Sequence, residues 1–133
     1  MNIKLMNVKK RIVKTPDAPG AIGPYSQAVI HEGIVYCSGQ IPLDPATMEI
    51  IPGGVREQAE QVMKNLEQVL LAAGSDFSRV LKSTIYLSEM SDFPVVNEVY
   101  GSRFSGNPPA RETVAVKTLP KEVLIEISCI AHL

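Results

Sequence analysis

One stretch, Val123-Leu124-Ile125-Glu126-Ile127-Ser128-Cys129-Ile130, narrows the choice of fold more than any other. Successive side chains of an extended chain point to opposite faces. Val123, Ile125, Ile127 and Cys129 therefore share one face, and Leu124, Glu126, Ser128 and Ile130 the other. Neither face reads as solvated, and a strand apolar on both sides needs cover on both. Helices can supply little of it. Val55, Ala59, Val62, Met63, Leu66, Val69, Leu70 and Ala73 recur at three- and four-residue spacing, with Gly74 as the C-terminal stop and Glu57, Glu60, Gln61, Lys64 and Glu67 on the far side. This is one helix with one apolar stripe, suited to lie on a sheet. A second helix is expected from an N-cap at Ser91 to about Phe104, offering Phe93, Val96, Val99 or Tyr100, and Phe104 to the core. Two helices cover one face. The other is expected to meet a second copy of the chain, with Glu126 at the junction.

The remaining segments are strands and turns. Lys10 to Lys14 reads as a short strand, and the Pro/Gly-rich run through Tyr25-Ser26 as irregular. Ala28 to Ile30 and Ile34 to Ser38 form a hairpin about His31-Glu32-Gly33. Gln40 to Gly54 is a loop with a turn at Asp44-Pro45-Ala46-Thr47, Val80 to Leu87 is a strand, and strands around Val114 and Ile125 close the chain. The order is β-β-β-α-β-α-β-β. The 133 residues make one domain, with residues 1–8 as a loose extension and Met6 as an alternative start.

Several function classes recede. A net charge of −1, with Lys9-Lys10-Arg11 as the one short basic run, argues against a nucleic-acid partner. Cys37 and Cys129 match no metal-binding spacing and read as free thiols; His31 and His132 have no ligand-spaced company, so no metal is expected. Gly53-Gly54 lacks the context of a phosphate loop. With no secretion signal and no run of the ~20 apolar residues that span a bilayer, a cytoplasmic protein that does not enter the membrane is expected.

The chemistry-bearing stretch is Pro108-Pro109-Ala110-Arg111-Glu112-Thr113-Val114. The prolines hold the approach extended and deliver Arg111 to the mouth of a β-branched strand. An arginine there and Glu126 inside an apolar strand are both costly to bury unpaired. Either they pair with each other or with Glu112, or a planar anion completes Arg111.

At this point the chain resembles the RidA/YjgF family of small trimeric enamine and imine deaminases. The resemblance rests on Gly20-Ala21-Ile22-Gly23-Pro24-Tyr25-Ser26-Gln27, Ser38-Gly39-Gln40-Ile41-Pro42, the Asn97 segment, Pro109-Ala110-Arg111, and Leu119-Pro120-Lys121 with Val123 to Ile127, in family order over about residues 14 to 131. It implies an α+β subunit similar to trimeric chorismate mutase: a six-stranded mixed, mostly antiparallel sheet with two helices on one face, assembled as a homotrimer with ligand clefts between subunits and no cofactor. It further implies hydrolysis of 2-aminoacrylate and 2-iminopropanoate to 2-oxoacids and ammonia. Arg111 is then similar to the arginine that holds the substrate carboxylate, and Glu126 to the residue that places or activates water. Ser38 and Gly39 match the strand-end pair lining the pocket, Tyr25 the tyrosine closing it, and Asn97 a helix asparagine near the cleft. Thr113 stands where many relatives have cysteine, on the same face as Arg111, while Glu112 projects oppositely. Such chemistry needs orientation and charge placement, not a covalent intermediate. Arginine's rigid fork matches a carboxylate where lysine's point charge does not. A non-catalytic 2-oxoacid sensor and, further off, an RNA-acting translation inhibitor are the competing expectations.

Overall fold

The sheet-and-two-helix order expected from the sequence is met element for element in the computed structural model, which describes residues 9–133. The expected extension over residues 1–8 lies outside the described residues. The elements are β1 (Arg11–Val13), β2 (Ala28–His31), β3 (Ile34–Gln40), α1 (Val55–Ala73), β4 (Val80–Leu87), α2 (Phe93–Gly101), β5 (Ala110–Ala115) and β6 (Ile125–His132). All six strands join one sheet in the order β1-β2-β3-β6-β4-β5. β4 and β5 run parallel, connected through α2, and the other neighbours are antiparallel. A parallel pair cannot be closed by a tight turn, so the intervening helix is the expected connection.

The apolar stripe of α1 decides which face is covered. Val62, Met63, Leu66, Val69 and Leu70 are all but fully buried against Val35, Ile85, Ile125 and Ile127, at roughly 1.5–3 kcal/mol for each large side chain removed from water. Gly74 ends the helix at φ 89°, its N–H reaching the Leu70 and Leu71 carbonyls, a left-handed geometry that costs a glycine little. The second helix departs from expectation at both ends. Ser91 is not its N-cap: Met90–Asp92 form a 3-10 turn and the α-helix runs from Phe93 to Gly101. Pro94 fits only the first turn of a helix, which places the start beside it. Beyond Gly101 the chain tightens into turns, with Arg103 N–H donating to Tyr100 and Phe104 N–H to Gly101.

β6 lies in the middle of the sheet, and its faces differ in cover. Ile125, Ile127 and Cys129 are buried under the helices, whereas Glu126, Ser128 and Ile130 are half-buried. The same uncovered face leaves Ile12, Tyr36 and Val114 exposed.

Three buried carboxamides tie irregular segments to this frame. Gln27 accepts from Thr15 N–H at 2.7 Å and donates to the carbonyls of Thr15, Ala18 and Pro19. Asn65 donates to the carbonyls of Ile41 and Leu43. Gln58 accepts from Leu124 N–H at 2.8 Å, two residues before Glu126. Buried amides left without such partners would each cost about 1–3 kcal/mol.

Candidate functional site

β5 is an edge strand, and alternation sets Arg111 and Thr113 toward the helices, beside Ser83 and Ile85 of β4. Arg111 Nη1 donates to Asn97 Oδ1 at 2.7 Å. The guanidinium carbon also lies 5.1 Å from the ring centres of both Phe93 and Tyr100. Residues 93, 97 and 100 share one face of α2, being three and four apart, so one helix supplies the whole cage. Burial pushes the Tyr100 phenol up, against opposing effects of Ser83 and Arg111, which favours the neutral ring facing the cation. Among the described residues Arg111 makes no salt bridge. The ion pair with Glu112 or Glu126 that the sequence left open is not formed: Glu112 projects to the other face and pairs with Lys82 at 2.6 Å. A neutral acceptor and two rings orient the cation without neutralising it. A cleft of about 400 Å³ opens beside it, lined by Arg111, Asn97, Tyr100, Gly101, Phe104 and the Pro108-Pro109 approach. The Thr113 hydroxyl is buried and has no hydrogen-bond partner among the described residues.

Glu126 stands on the opposite, uncovered face, in register with Tyr86. Its carboxyl group is half-buried, and burial pushes its pKa up from the usual 4.5. It packs against Gly39, where a Cβ would lie 2.8 Å from the Glu126 carboxyl carbon. The β3–β6 register shifts between Cys37 and Gln40, so the irregularity and the missing side chain together make room for the carboxyl group. Ser38 Oγ donates at 2.6 Å to the Ser26 carbonyl, and Ser38 N–H donates to the Gln27 carbonyl. The hydroxyl proton of Ser38 is thus engaged, and what it can still offer is an acceptor lone pair. Tyr25 is exposed, its hydroxyl accepting from Ile22 N–H at 3.3 Å, on the rim of a groove of about 860 Å³.

The residues singled out in the sequence thus fall into two groups. Tyr25, Ser38, Gly39 and Glu126 are linked through the β2–β3 segment; Arg111, Asn97 and Thr113 belong to β5 and α2. Two strand spacings, about 10 Å, the thickness of the sheet and an offset along β5, where Glu126 is level through Tyr86 with Val114, separate Glu126 from Arg111. Phe93 and Tyr100 were read as core positions. Their spacing from Asn97 is visible in the sequence, but nothing there says that an arginine fills the space above them. Among the described residues no cluster of three or more His, Cys, Asp or Glu side chains is placed to hold a metal ion, and no helix is long and apolar enough to cross a membrane.

This architecture defines a small α+β protein with an uncancelled arginine beside a cleft and a carboxyl group on an uncovered sheet face. Residues 15–133 match the family model described as endoribonuclease L-PSP. The chain is 52% identical over 129 residues to the protein DfrA of Myxococcus xanthus, covering 96% of this chain and 98% of that protein. It is 46% identical over 127 residues to the 2-iminobutanoate/2-iminopropanoate deaminase of Rattus norvegicus, covering 96% and 93%. Among solved structures, RidA from an Antarctic Psychrobacter superposes with a TM-score of 0.89 at 42% identity over 92% of this chain and 99% of that one. TdcF of E. coli with bound serine superposes with a TM-score of 0.87 at 40% identity over 92% and 98%. The chain belongs to the endoribonuclease L-PSP, or RidA/YjgF, family.

Proposed function

We propose that the protein hydrolyses 2-imino acids of the 2-aminoacrylate/2-iminopropanoate type to 2-oxoacids and ammonia, in sites shared between copies of the chain. The observation that carries this reading is the caged, uncancelled guanidinium of Arg111 beside an open cleft. Names borne by relatives, 2-iminobutanoate/2-iminopropanoate deaminase among them, and the serine bound to TdcF support a small carboxylate as ligand. Arg111 holds the carboxylate through charge-assisted bonds worth roughly 1.5–3 kcal/mol each. The imine carbon is then attacked by a water that Glu126, when ionised, orients and deprotonates. That proton passes to nitrogen, giving a carbinolamine; the hydroxyl proton then follows to nitrogen through Glu126, the C=O bond of the 2-oxoacid forms, and ammonia leaves as the C–N bond breaks. General acid–base help of this kind contributes roughly 10²–10⁴-fold. Tyr25 and Thr113 wall the site, and Ser38 accepts a hydrogen bond from water or the imine. No cofactor enters this scheme.

Arg111 and Glu126 lie on opposite faces of one sheet, so a single small substrate reaches both only where the β5 edge of one copy meets the uncovered face of the next. Three copies, the number the likeness to RidA suggests, close such a heterologous contact into a ring. A non-catalytic 2-oxoacid sensor needs Arg111 but gives Glu126 no task. An RNA-acting role finds no basic excess in a chain of charge −1.

Co-expressed Arg111→Ala and Glu126→Gln chains test the scheme. Each alone should release little 2-oxoacid and ammonia from freshly generated imine. Random mixing should restore about a quarter of the sites, those pairing an intact arginine with an intact glutamate across an interface. A mixture no more active than its components would remove the shared site.

A further inference from the structure

We propose that Cys37 and Cys129 form a dithiol that a hydroperoxide converts to an intramolecular disulfide, clamping β3 to β6 beside the Ser38–Gly39 segment. They are the two cysteines of the chain, both free and both buried in the core under the helices. Far apart in sequence, they are set directly opposite one another by the antiparallel β3–β6 register. Opposed residues of such a pair share a face, with Cα atoms about 4.5–5.5 Å apart, inside the range of about 4.4–6.8 Å that a disulfide spans. Their Cβ atoms, about 4.5–5.5 Å apart in such a pair, need to close to about 3.5–4.5 Å. The register shift that begins just past Cys37 gives β3 room for so small a movement, since a strand bends and twists where its pairing is irregular.

Burial decides which oxidant can act. The Cys37 thiol hydrogen-bonded to it, and after that burial, push the Cys129 thiol well up. Bulky disulfide reagents therefore find no exposed thiolate. A small hydroperoxide reaches the pair during local opening of the sheet. One sulfur attacks the peroxide: an S–O bond forms, the O–O bond breaks, and water leaves with the thiol proton. The second sulfur attacks the resulting sulfenic acid: the S–S bond forms, the S–O bond breaks, and a second water leaves. Two thiols lose two electrons and two protons, and one peroxide gains both. Because the second thiol is already in contact, closure outruns further oxidation to sulfinic acid. Both helices and strands β4 and β5 lie between the two cysteines in sequence, so the cross-link closes a long loop and constrains the unfolded chain.

The test exposes the full-length protein to hydrogen peroxide, removes the excess with catalase, and labels the unfolded chain with N-ethylmaleimide. Untreated protein should take up a label on each cysteine, and treated protein on neither. Proteolysis of the treated protein should yield the Cys37 and Cys129 peptides joined, two hydrogens lighter than their sum, and dithiothreitol should separate them. The denaturation midpoint should rise on oxidation and return on reduction. Cys37→Ala and Cys129→Ala should each show no cross-link and no rise, and the parent protein carries the test by itself should either variant fold poorly. Labels retained on both cysteines after treatment, oxygen added to the separate cysteine peptides, or a disulfide joining two chains would each overturn the assignment. A cross-link that lowers the midpoint would overturn the clamp.

Discussion

Among the described residues Arg111 and Glu126 are both without an ion-pair partner, but for different reasons. The arginine is held by a neutral oxygen and two ring faces, each of which orients a cation without cancelling it. Asn97→Ala removes the one directional contact. We expect kcat/KM to fall about tenfold, at most the roughly 1.5–3 kcal/mol of a hydrogen bond to a charged group discounted for solvent, mostly through KM, with thermal stability nearly unchanged; an unaltered KM would show that the cage does not orient Arg111. Glu126 is controlled by burial, which favours its neutral form and raises its pKa. Folding therefore loses stability as pH rises through that raised value, while a base that must be ionised gains activity over the same window. The acid limb of kcat/KM should sit above 4.5. Glu126→Gln should abolish the limb and be the more stable protein at neutral pH, with the difference vanishing below the unfolded-state value. A pH profile unchanged by that substitution would demote Glu126 to a structural role. Both residues stood out in the sequence because a charge in an apolar strand calls for an explanation. Their separation did not, since which face a residue takes depends on which strands flank it.

The elements that read clearly were those with one dominant signal. The apolar stripe from Val55 to Ala73 and the stop at Gly74 coincide with α1, and the Val80 to Leu87 run coincides with β4. The second helix was misjudged because Ser91 is a good cap by type, whereas Pro94 fixes the start by exclusion. Non-local facts, such as the central place of β6 and the parallel pairing of β5 with β4, leave no local trace. The β3 irregularity is a case where sequence hints and structure explains. Gly39 sits between Ser38 and Gln40 at the end of β3, and its lack of a side chain matters because the Glu126 carboxyl group occupies that volume. Gly39→Ala should push aside the flexible end of Glu126 in preference to the backbone. We expect a stability loss near the low end of the roughly 1–3 kcal/mol typical of overpacking, read by chemical denaturation, with a disproportionate fall in kcat. Equal proportional losses in stability and turnover would mean that the glycine serves packing alone.

At the level of the whole molecule, the uncovered sheet face and the split site make the same demand. Ile12, Tyr36 and Val114 stay exposed and Val29, Tyr86 and Ile130 half-covered on a face that also carries Glu126. Contiguous apolar surface of this kind is what an association site presents, and the reading of β6 as apolar on both faces expects a second copy there. The shared-site scheme makes assembly a condition of chemistry. Light scattering at micromolar concentration should give three times the 14.5 kDa of one chain. Ile130→Asp, which places a charge in the middle of the face and leaves the helix-covered core untouched, should shift the protein to monomer and abolish turnover together, while Arg111 in its cage still binds 2-oxoacids weakly from one side. The decisive comparison is between activity and mass across a dilution series of a milder variant, Ile130→Ala: both should fall over the same concentration range. Turnover that persists in a population shown to be monomeric would mean that one subunit holds a complete site, and the opposed placement of Arg111 and Glu126 would then need another explanation.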